Sequence, residues 1–157
     1  MAPQPSFISH PSNIETLRWR AGRLELLDQR LLPARVEFVA CATAREVADA
    51  IRAMVIRGAP AIGCAAACGI ALEAARLKDV PQPEFASGLD LAFAVLAAAR
   101  PTAVNLFWAL ERMKAVLKAA GQIPPMDIAM RLLDEARRIV SDDVAAKIGR
   151  ASCRERV

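Results

Sequence analysis

An α+β fold, in which a small N-terminal antiparallel β element precedes a helical bundle of about five helices, is predicted by three features of this sequence. Apolar and polar residues alternate within residues 14–40, and apolar residues recur at helical spacing within residues 43–147. The chain also has 33 alanines among its 157 residues but only 4% aromatic residues. Alanine is the best helix former, so a bundle packed through small side chains is expected.

The β element follows an arm at residues 1–13 that is rich in proline and serine and is expected to be loose. Residues 15–20 and 23–28 each alternate apolar with polar side chains, and Ala21-Gly22 between them suits a two-residue turn. We therefore expect a β-hairpin.

A third short strand is predicted after Pro33, with Val36 and Phe38 on one of its faces. The capping-box pattern of Thr43 and Glu46 comes next and predicts the start of the first helix, because the two side chains satisfy N–H groups at a helix start. The bundle is thus expected to begin at residue 43.

Glycine and proline set the other helix boundaries, because proline suits a first helical turn and glycine permits a helix to end. The predicted helices run from the Thr43 cap to Arg57-Gly58, from Ala61 to Leu77, from Glu84 to Ala99, from Pro101 to Gly121, and after Pro124-Pro125 through Val140.

The composition argues against several classes of protein. The net charge is +4, but 21 basic and 17 acidic residues are interspersed, and nucleic-acid binding calls for a clustered basic face. The longest uncharged apolar stretch, residues 61–72, is shorter than a membrane-spanning helix needs. The first fifteen residues have no signal-peptide pattern, so we expect a cytoplasmic protein, no membrane partner and free thiols.

Two segments are candidates for anion binding. Residues 57–63, RGAPAIG, place Arg57 and Gly58 directly before a predicted helix, and residues 100–106, RPTAVNL, place Arg100 before another. A helix start presents unpaired N–H groups and the positive end of the helix dipole, and an arginine adds a charge-assisted contact to phosphate. The two starts could converge on one ligand; the alternative is two solvated surface arginines.

These two motifs, preceded by LDQRLLP at residues 27–33, resemble the methylthioribose-1-phosphate isomerase family in order and similar spacing, and the resemblance covers about residues 14–147. It implies that Arg57, Gly58, Ala59 and Arg100 line a sugar-phosphate site. It also implies an aldose–ketose isomerisation that needs no cofactor or metal, and a homodimer for the full-length protein.

The same resemblance implies that the catalytic Cys and Asp belong to a C-terminal Rossmann-like domain that is absent from this chain, so the fragment is expected to be inactive alone. Two alternatives stay open. The isomerase family resembles non-catalytic regulatory subunits of the exchange factor for translation initiation, and a related ribose-1,5-bisphosphate isomerase would share the phosphate chemistry.

The last ten residues, 148–157, have no helical apolar face and match the translation of a common sequencing adapter. We therefore expect an artefact joined after Lys147, so that Cys153 is not a reactive thiol of the domain. The alternative is an ordinary basic tail.

Other candidate residues have structural interpretations. Cys64 and Cys68 have a spacing that could supply two metal ligands, but no further ligands are evident, so buried thiols are expected, as for Cys41. Trp19 is expected to cover the core edge. The Phe107-Trp108 pair is expected to pack, with contact to a methylthio group as the alternative. A solvated acidic face, rather than a carboxylate pair, is expected of Glu135, Asp142 and Asp143.

Overall fold

The computed structural model describes the backbone of residues 16–154 and the side chains of residues 16–145, so the predicted arm at 1–13 lies outside the described residues. It confirms the α+β class. Three strands precede five helices: β1 (Leu17–Arg20), β2 (Arg23–Leu27), β3 (Phe38–Cys41), α1 (Ala44–Arg52), α2 (Ala59–Arg76), α3 (Gln82–Ala99), α4 (Val104–Ala120) and α5 (Pro125–Arg154).

The strands form one antiparallel sheet in the order β1-β2-β3. The predicted hairpin is confirmed, and its turn residues Ala21 and Gly22 both have positive φ, 52° and 74°. Leu24 and Leu26 of β2 are fully buried. This face of the sheet therefore closes one side of the core.

The third strand begins later than predicted. It starts at Phe38, and Val36 is 54% exposed in the connection before it. The register explains the shift, because Val39 pairs with Leu26 and Cys41 pairs with Leu24, which puts apolar side chains together on the buried face.

The capping box at the start of α1 is confirmed with one difference. The Thr43 hydroxyl accepts a hydrogen bond from the Glu46 N–H at 3.2 Å. The Glu46 carboxylate accepts from the N–H of Ala42 at 2.9 Å, one residue before the cap, rather than from the cap itself. Both contacts satisfy donors at the helix start.

Helix α1 ends at Arg52, five residues before the predicted end at Arg57. The Met54 N–H donates to the Ile51 carbonyl at 3.2 Å, and the Val55 N–H donates to the Ala50 carbonyl at 3.0 Å. With Met54 at φ 64°, this is a Schellman ending in which methionine takes the place usually held by glycine. Val55 continues the apolar spacing of α1 in the sequence because its side chain is buried, but it lies outside the helix.

Helix α2 is the centre of the bundle and contacts each of the other four helices and β2. It is buried from Ala61 to Ala74. Its 18 residues have a mean hydropathy of 1.2, so the helix is long and apolar enough to cross a membrane, although the uncharged stretch within it, residues 61–72, is shorter. The bundle buries 78% of this span, as expected for a core helix.

Two later helix boundaries differ from prediction. Helix α4 begins at Val104 rather than at Pro101, because Arg100 is extended (φ −146°) and its carbonyl accepts from the Ala103 N–H at 3.0 Å, closing a turn first. Helix α5 continues beyond Val140 to Arg154. The expected adapter origin of residues 148–157 stays a prediction, since a helical backbone carries no information on it.

Candidate functional site

The RGAPAIG motif forms the start of α2. Gly58 caps the helix at φ 91° and ψ 131°, and its carbonyl accepts from the Ile62 N–H at 3.0 Å. The N–H groups of Ala59 and Ala61 precede the first helical hydrogen bond, and Pro60 has none. A β-carbon at Gly58 would meet no atom within 4 Å, so the main chain there is open to approach.

The RPTAVNL motif forms the start of α4 in a similar way. Ala103 is the cap, and its carbonyl accepts from the Phe107 N–H at 3.3 Å. The N–H groups of the three residues between them, 104–106, therefore lie before the first helical hydrogen bond. Arg100 is half-buried three residues before the cap.

The starts of α2 and α4 lack the negative groups found at the other helix starts. Helix α1 has Thr43 as a cap and Glu46 in its first turn, whereas α3 has Glu84 and α5 has Asp127. Neither α2 nor α4 has a side-chain cap bond or an acidic residue in its first turn. The positive end of each dipole is therefore left for another anion.

Close packing of α2 on α4 brings the two motifs together. A β-carbon at Gly63 would lie 2.9 Å from the carbonyl oxygen of Asn105 and 3.6 Å from its β-carbon. Because Gly63 lies in the second turn of α2 and Asn105 in the first turn of α4, the N-terminal ends of both helices are neighbours.

The two motif arginines are without anionic partners in the described part of the chain. Arg57 is exposed and Arg100 half-buried, and neither forms an ion pair, whereas guanidinium groups elsewhere in the fold pair with carboxylates. The other described arginines without an ion pair are all exposed: Arg20, Arg23, Arg45, Arg131 and Arg137. Arg100 therefore differs from the other arginines without an ion pair in being partly covered by the fold.

The LDQRLLP segment is hydrogen-bonded to the loop that precedes α2. Its Asp28 was not among the residues that the sequence indicated as functional. The Asp28 side chain is buried and accepts from the N–H, Nε and Nη2 of Arg30 at 3.1, 2.9 and 2.8 Å. These hydrogen bonds hold the pKa of Asp28 below its usual value, and those from the Arg30 side chain have the largest effect. The next N–H, of Gln29, donates to the Val55 carbonyl at 3.0 Å, two residues before Arg57.

The three cysteines whose side chains the structure describes are buried thiols, as predicted. Cys41, Cys64 and Cys68 are at most 4% exposed. Burial raises the pKa of Cys41 to about 11 and also raises the pKa of Cys68. Trp19 packs against the core from its partly buried position, also as predicted. Within the described residues, no group of three or more metal-ligating side chains is assembled.

The prediction that Phe107 and Trp108 pack in the core is wrong. They are 38% and 52% exposed, and Val104 on the same helix face is 79% exposed. The buried face of α4 is taken by Leu106, Ala109, Leu110 and Met113. The guanidinium of Arg112 lies 5.0 Å from the Trp108 ring centroid, so the indole contacts a cation on the helix surface.

The predicted solvated acidic face on α5 is only partly correct. The Glu135 side chain is just 12% exposed and pairs with Arg112 at 2.6 Å and with Arg138 at 3.5 Å. Asp142 is 70% exposed and reaches Arg112 at 3.6 Å. Glu135 and Asp142 of α5 therefore form ion pairs with Arg112 of α4 and do not form a carboxylate pair.

The chain is similar in sequence to known proteins. A protein of Albidiferax ferrireducens named methylthioribose-1-phosphate isomerase is 56% identical over 141 residues, which cover 90% of this chain and 39% of that protein. The chain thus spans about two fifths of the length of the curated relatives it matches.

Two solved structures share the fold. The 5-methylthioribose 1-phosphate isomerase of Pyrococcus horikoshii has a TM-score of 0.80 and 38% identity, with 85% of this chain and 37% of that chain covered. The translation initiation factor eIF-2B, subunit delta, from A. fulgidus has a TM-score of 0.75 and 38% identity, with 84% and 38% covered. The profile of the Initiation factor 2 subunit family matches residues 55–154, and this chain belongs to that family.

Proposed function

We propose that this chain binds the phosphate group of 5-methylthioribose 1-phosphate and is the phosphate-binding part of an isomerase that forms 5-methylthioribulose 1-phosphate in methionine salvage. The observation that carries the proposal is the pair of adjacent helix starts, α2 and α4, that have neither a cap nor an acidic first turn and are each preceded by an arginine. The names of the similar proteins support the choice of sugar phosphate.

In this proposal the phosphate oxygens accept hydrogen bonds from the N–H groups of Ala59 and Ala61 and from those at the start of α4. Arg57, Gly58 and Arg100 complete the site: the two guanidinium groups add charge-assisted contacts, and the glycine leaves room for the ligand. Binding would hold the sugar in a fixed position while its ring opens.

The isomerisation also needs groups that move a proton, and this site supplies none. An arginine stays protonated and a backbone N–H only donates, so neither acts as a base near neutral pH. The buried Cys41 and Cys68, whose pKa values are raised, are unsuited to the task. We therefore propose that the chain alone binds substrate weakly, without catalysis, and that the longer protein is a cytoplasmic homodimer that needs no cofactor.

Calorimetry of the 157-residue chain with 5-methylthioribose 1-phosphate tests the binding claim. Arg57→Ala and Arg100→Ala should each weaken binding by about 1.5–3 kcal/mol, roughly 10- to 150-fold in Kd. Arg45→Ala is the control, because Arg45, like Arg57, is exposed and forms no ion pair with the described residues but lies at the start of α1. An unchanged Kd in both site variants would remove the assignment.

An activity assay tests whether the chain alone is inactive as an isomerase. Incubation of the purified chain with 5-methylthioribose 1-phosphate should yield no ketose above the uncatalysed rate, as followed by NMR of the sugar carbons. Turnover by the chain would contradict the claim.

A regulatory function is the second candidate, and the likeness to subunit delta of eIF-2B from A. fulgidus favours it. A purely regulatory domain would have no need of the sugar phosphate, and 5-methylthioribose 1-phosphate would then not bind. The same calorimetric experiment with ribose 1,5-bisphosphate tests the third candidate, a ribose-1,5-bisphosphate isomerase. If that candidate is right, ribose 1,5-bisphosphate will bind more tightly than 5-methylthioribose 1-phosphate.

A further inference from the structure

We propose that the turn at Asp28–Arg30 positions the phosphate-binding loop, and that the backbone N–H of Gln29 is the group through which it acts. This inference rests on the phosphate site proposed above and adds to it a positioning element that does not touch the ligand. The contact that carries it is the hydrogen bond from the Gln29 N–H to the Val55 carbonyl at 3.0 Å.

The main chain of the loop between α1 and α2 is hydrogen-bonded at its two ends, and the side chains of Val55 and Ile56 between them pack in the core. Its first end is the Schellman turn at Met54, with φ 64°, and its last residue is Gly58, with φ 91°. Between them Val55 and Ile56 are buried, at 3% and 0% exposure, while Arg57 is exposed. The Val55 carbonyl is therefore the last point at which a hydrogen bond from another segment holds the main chain before Arg57.

The donor segment is rigid for reasons visible in its own contacts. The Asp28 carboxylate caps a short 3-10 turn at residues 29–31 through the Arg30 N–H, and it also receives two bonds from the Arg30 side chain. The Asp28 N–H donates to the carbonyl of Glu37, the residue before β3, at 2.8 Å. The Gln29 N–H that donates to Val55 thus belongs to a turn whose neighbouring residues, Asp28 and Arg30, are both hydrogen-bonded.

Gln29→Pro breaks this contact in two ways, because proline lacks the N–H and its ring places Cδ against the Val55 carbonyl oxygen. Gln29 is the first residue of the turn, a position that proline favours, and Asp28 before it is already extended at φ −76° and ψ 95°. Gln29→Ala is the matched control, since it loses the side chain but keeps the N–H. Circular dichroism and thermal unfolding of both variants show whether the fold is intact.

The first measurement needs no ligand. Amide hydrogen exchange at Met54, Val55 and Ile62, whose N–H groups are hydrogen-bonded at the two ends of the loop, should become faster in Gln29→Pro than in the wild type and stay unchanged in Gln29→Ala. Unchanged exchange in the proline variant would overturn the proposal, because the hydrogen bond would then not restrain the loop.

The second measurement is the Kd for 5-methylthioribose 1-phosphate. We expect it to rise about three- to tenfold in Gln29→Pro, as for loss of one restraining hydrogen bond, and to be unchanged in Gln29→Ala. If Arg57→Ala weakens binding but Gln29→Pro does not, the positioning role is wrong while the phosphate site stands. If neither substitution changes the Kd, the phosphate site itself is wrong and the positioning role is overturned with it.

Discussion

Gly63 of α2 lies against the main chain of Asn105 at the start of α4, so closely that a β-carbon would be 2.9 Å from the Asn105 carbonyl oxygen. Real β-carbons essentially never approach another atom this closely. The obstacle is backbone, which cannot rotate away as a side chain can. This contact sets the spacing of the two helix starts that form the candidate phosphate site.

Gly63→Ala should therefore separate α2 from α4 and destabilise the fold by about 1–3 kcal/mol, even though alanine favours a helix. Gly69→Ala is the comparison on the same helix, because the nearest atoms to its β-carbon would be side-chain atoms of Leu96 and Val47 at 3.2 and 3.3 Å, which need to shift by only a few tenths of an ångström. Urea unfolding of both variants measures the difference. Equal stability of the two would show that the Asn105 contact does not constrain the helices.

Thr43→Ala should destabilise the fold by about 1 kcal/mol, because it removes the hydroxyl that accepts from the Glu46 N–H at the start of α1. Thr43→Ser keeps the acceptor and should have nearly the stability of the wild type. Chemical denaturation compares them. A serine variant as unstable as the alanine variant would indicate that the methyl group, and not the cap, is responsible.

Met54→Gly should stabilise the fold by about 0.5–1 kcal/mol. Residues with a β-carbon are strained at the φ of 64° found there, and the relief of that strain exceeds the extra chain entropy of glycine in the unfolded state. Met54→Ala retains the β-carbon and should bring no such gain. Thermal unfolding tests the pair, and a glycine variant less stable than the alanine variant would be inconsistent with the Schellman geometry.

Acid should weaken the contribution of Asp28. Its contacts to Arg30 lower its pKa in the folded state, so the stabilisation is complete above the pKa of the unfolded chain, about 3.9, and is lost as pH falls through the lower folded value. Free energies of unfolding for wild type and Asp28→Asn should differ by a constant amount above about pH 5 and converge below about pH 4. A difference independent of pH would exclude this titration.

Local chemistry made part of this fold predictable from the sequence. The hairpin turn at Ala21-Gly22, the cap at Thr43 and the turn at Gly58 each depend on residues within four positions of one another, and each lies where it was predicted. The burial of Cys64 and Cys68 followed from their small apolar surroundings on one helix.

Tertiary packing decided the features that the sequence did not predict. Met54 adopts a glycine-like conformation that no local signal indicates, and Pro101 enters a turn although proline also suits a helix start. The helical spacing around Trp108 did not show which face α4 buries. Likewise, the contact of Gly63 with Asn105 joins segments about forty residues apart, so only the folded chain brings the two arginine motifs together.

In the proposed site, the starts of α2 and α4 bind one anion. The most direct measurement is an NMR titration of the nitrogen-15-labelled 157-residue chain with 5-methylthioribose 1-phosphate, following the backbone amides. We predict that Gly58, Ala59 and Ala61 shift together with the amides of residues 104–106, with a single shared Kd. Shifts at only one helix start, different Kd values at the two, or no shift at either would contradict the account.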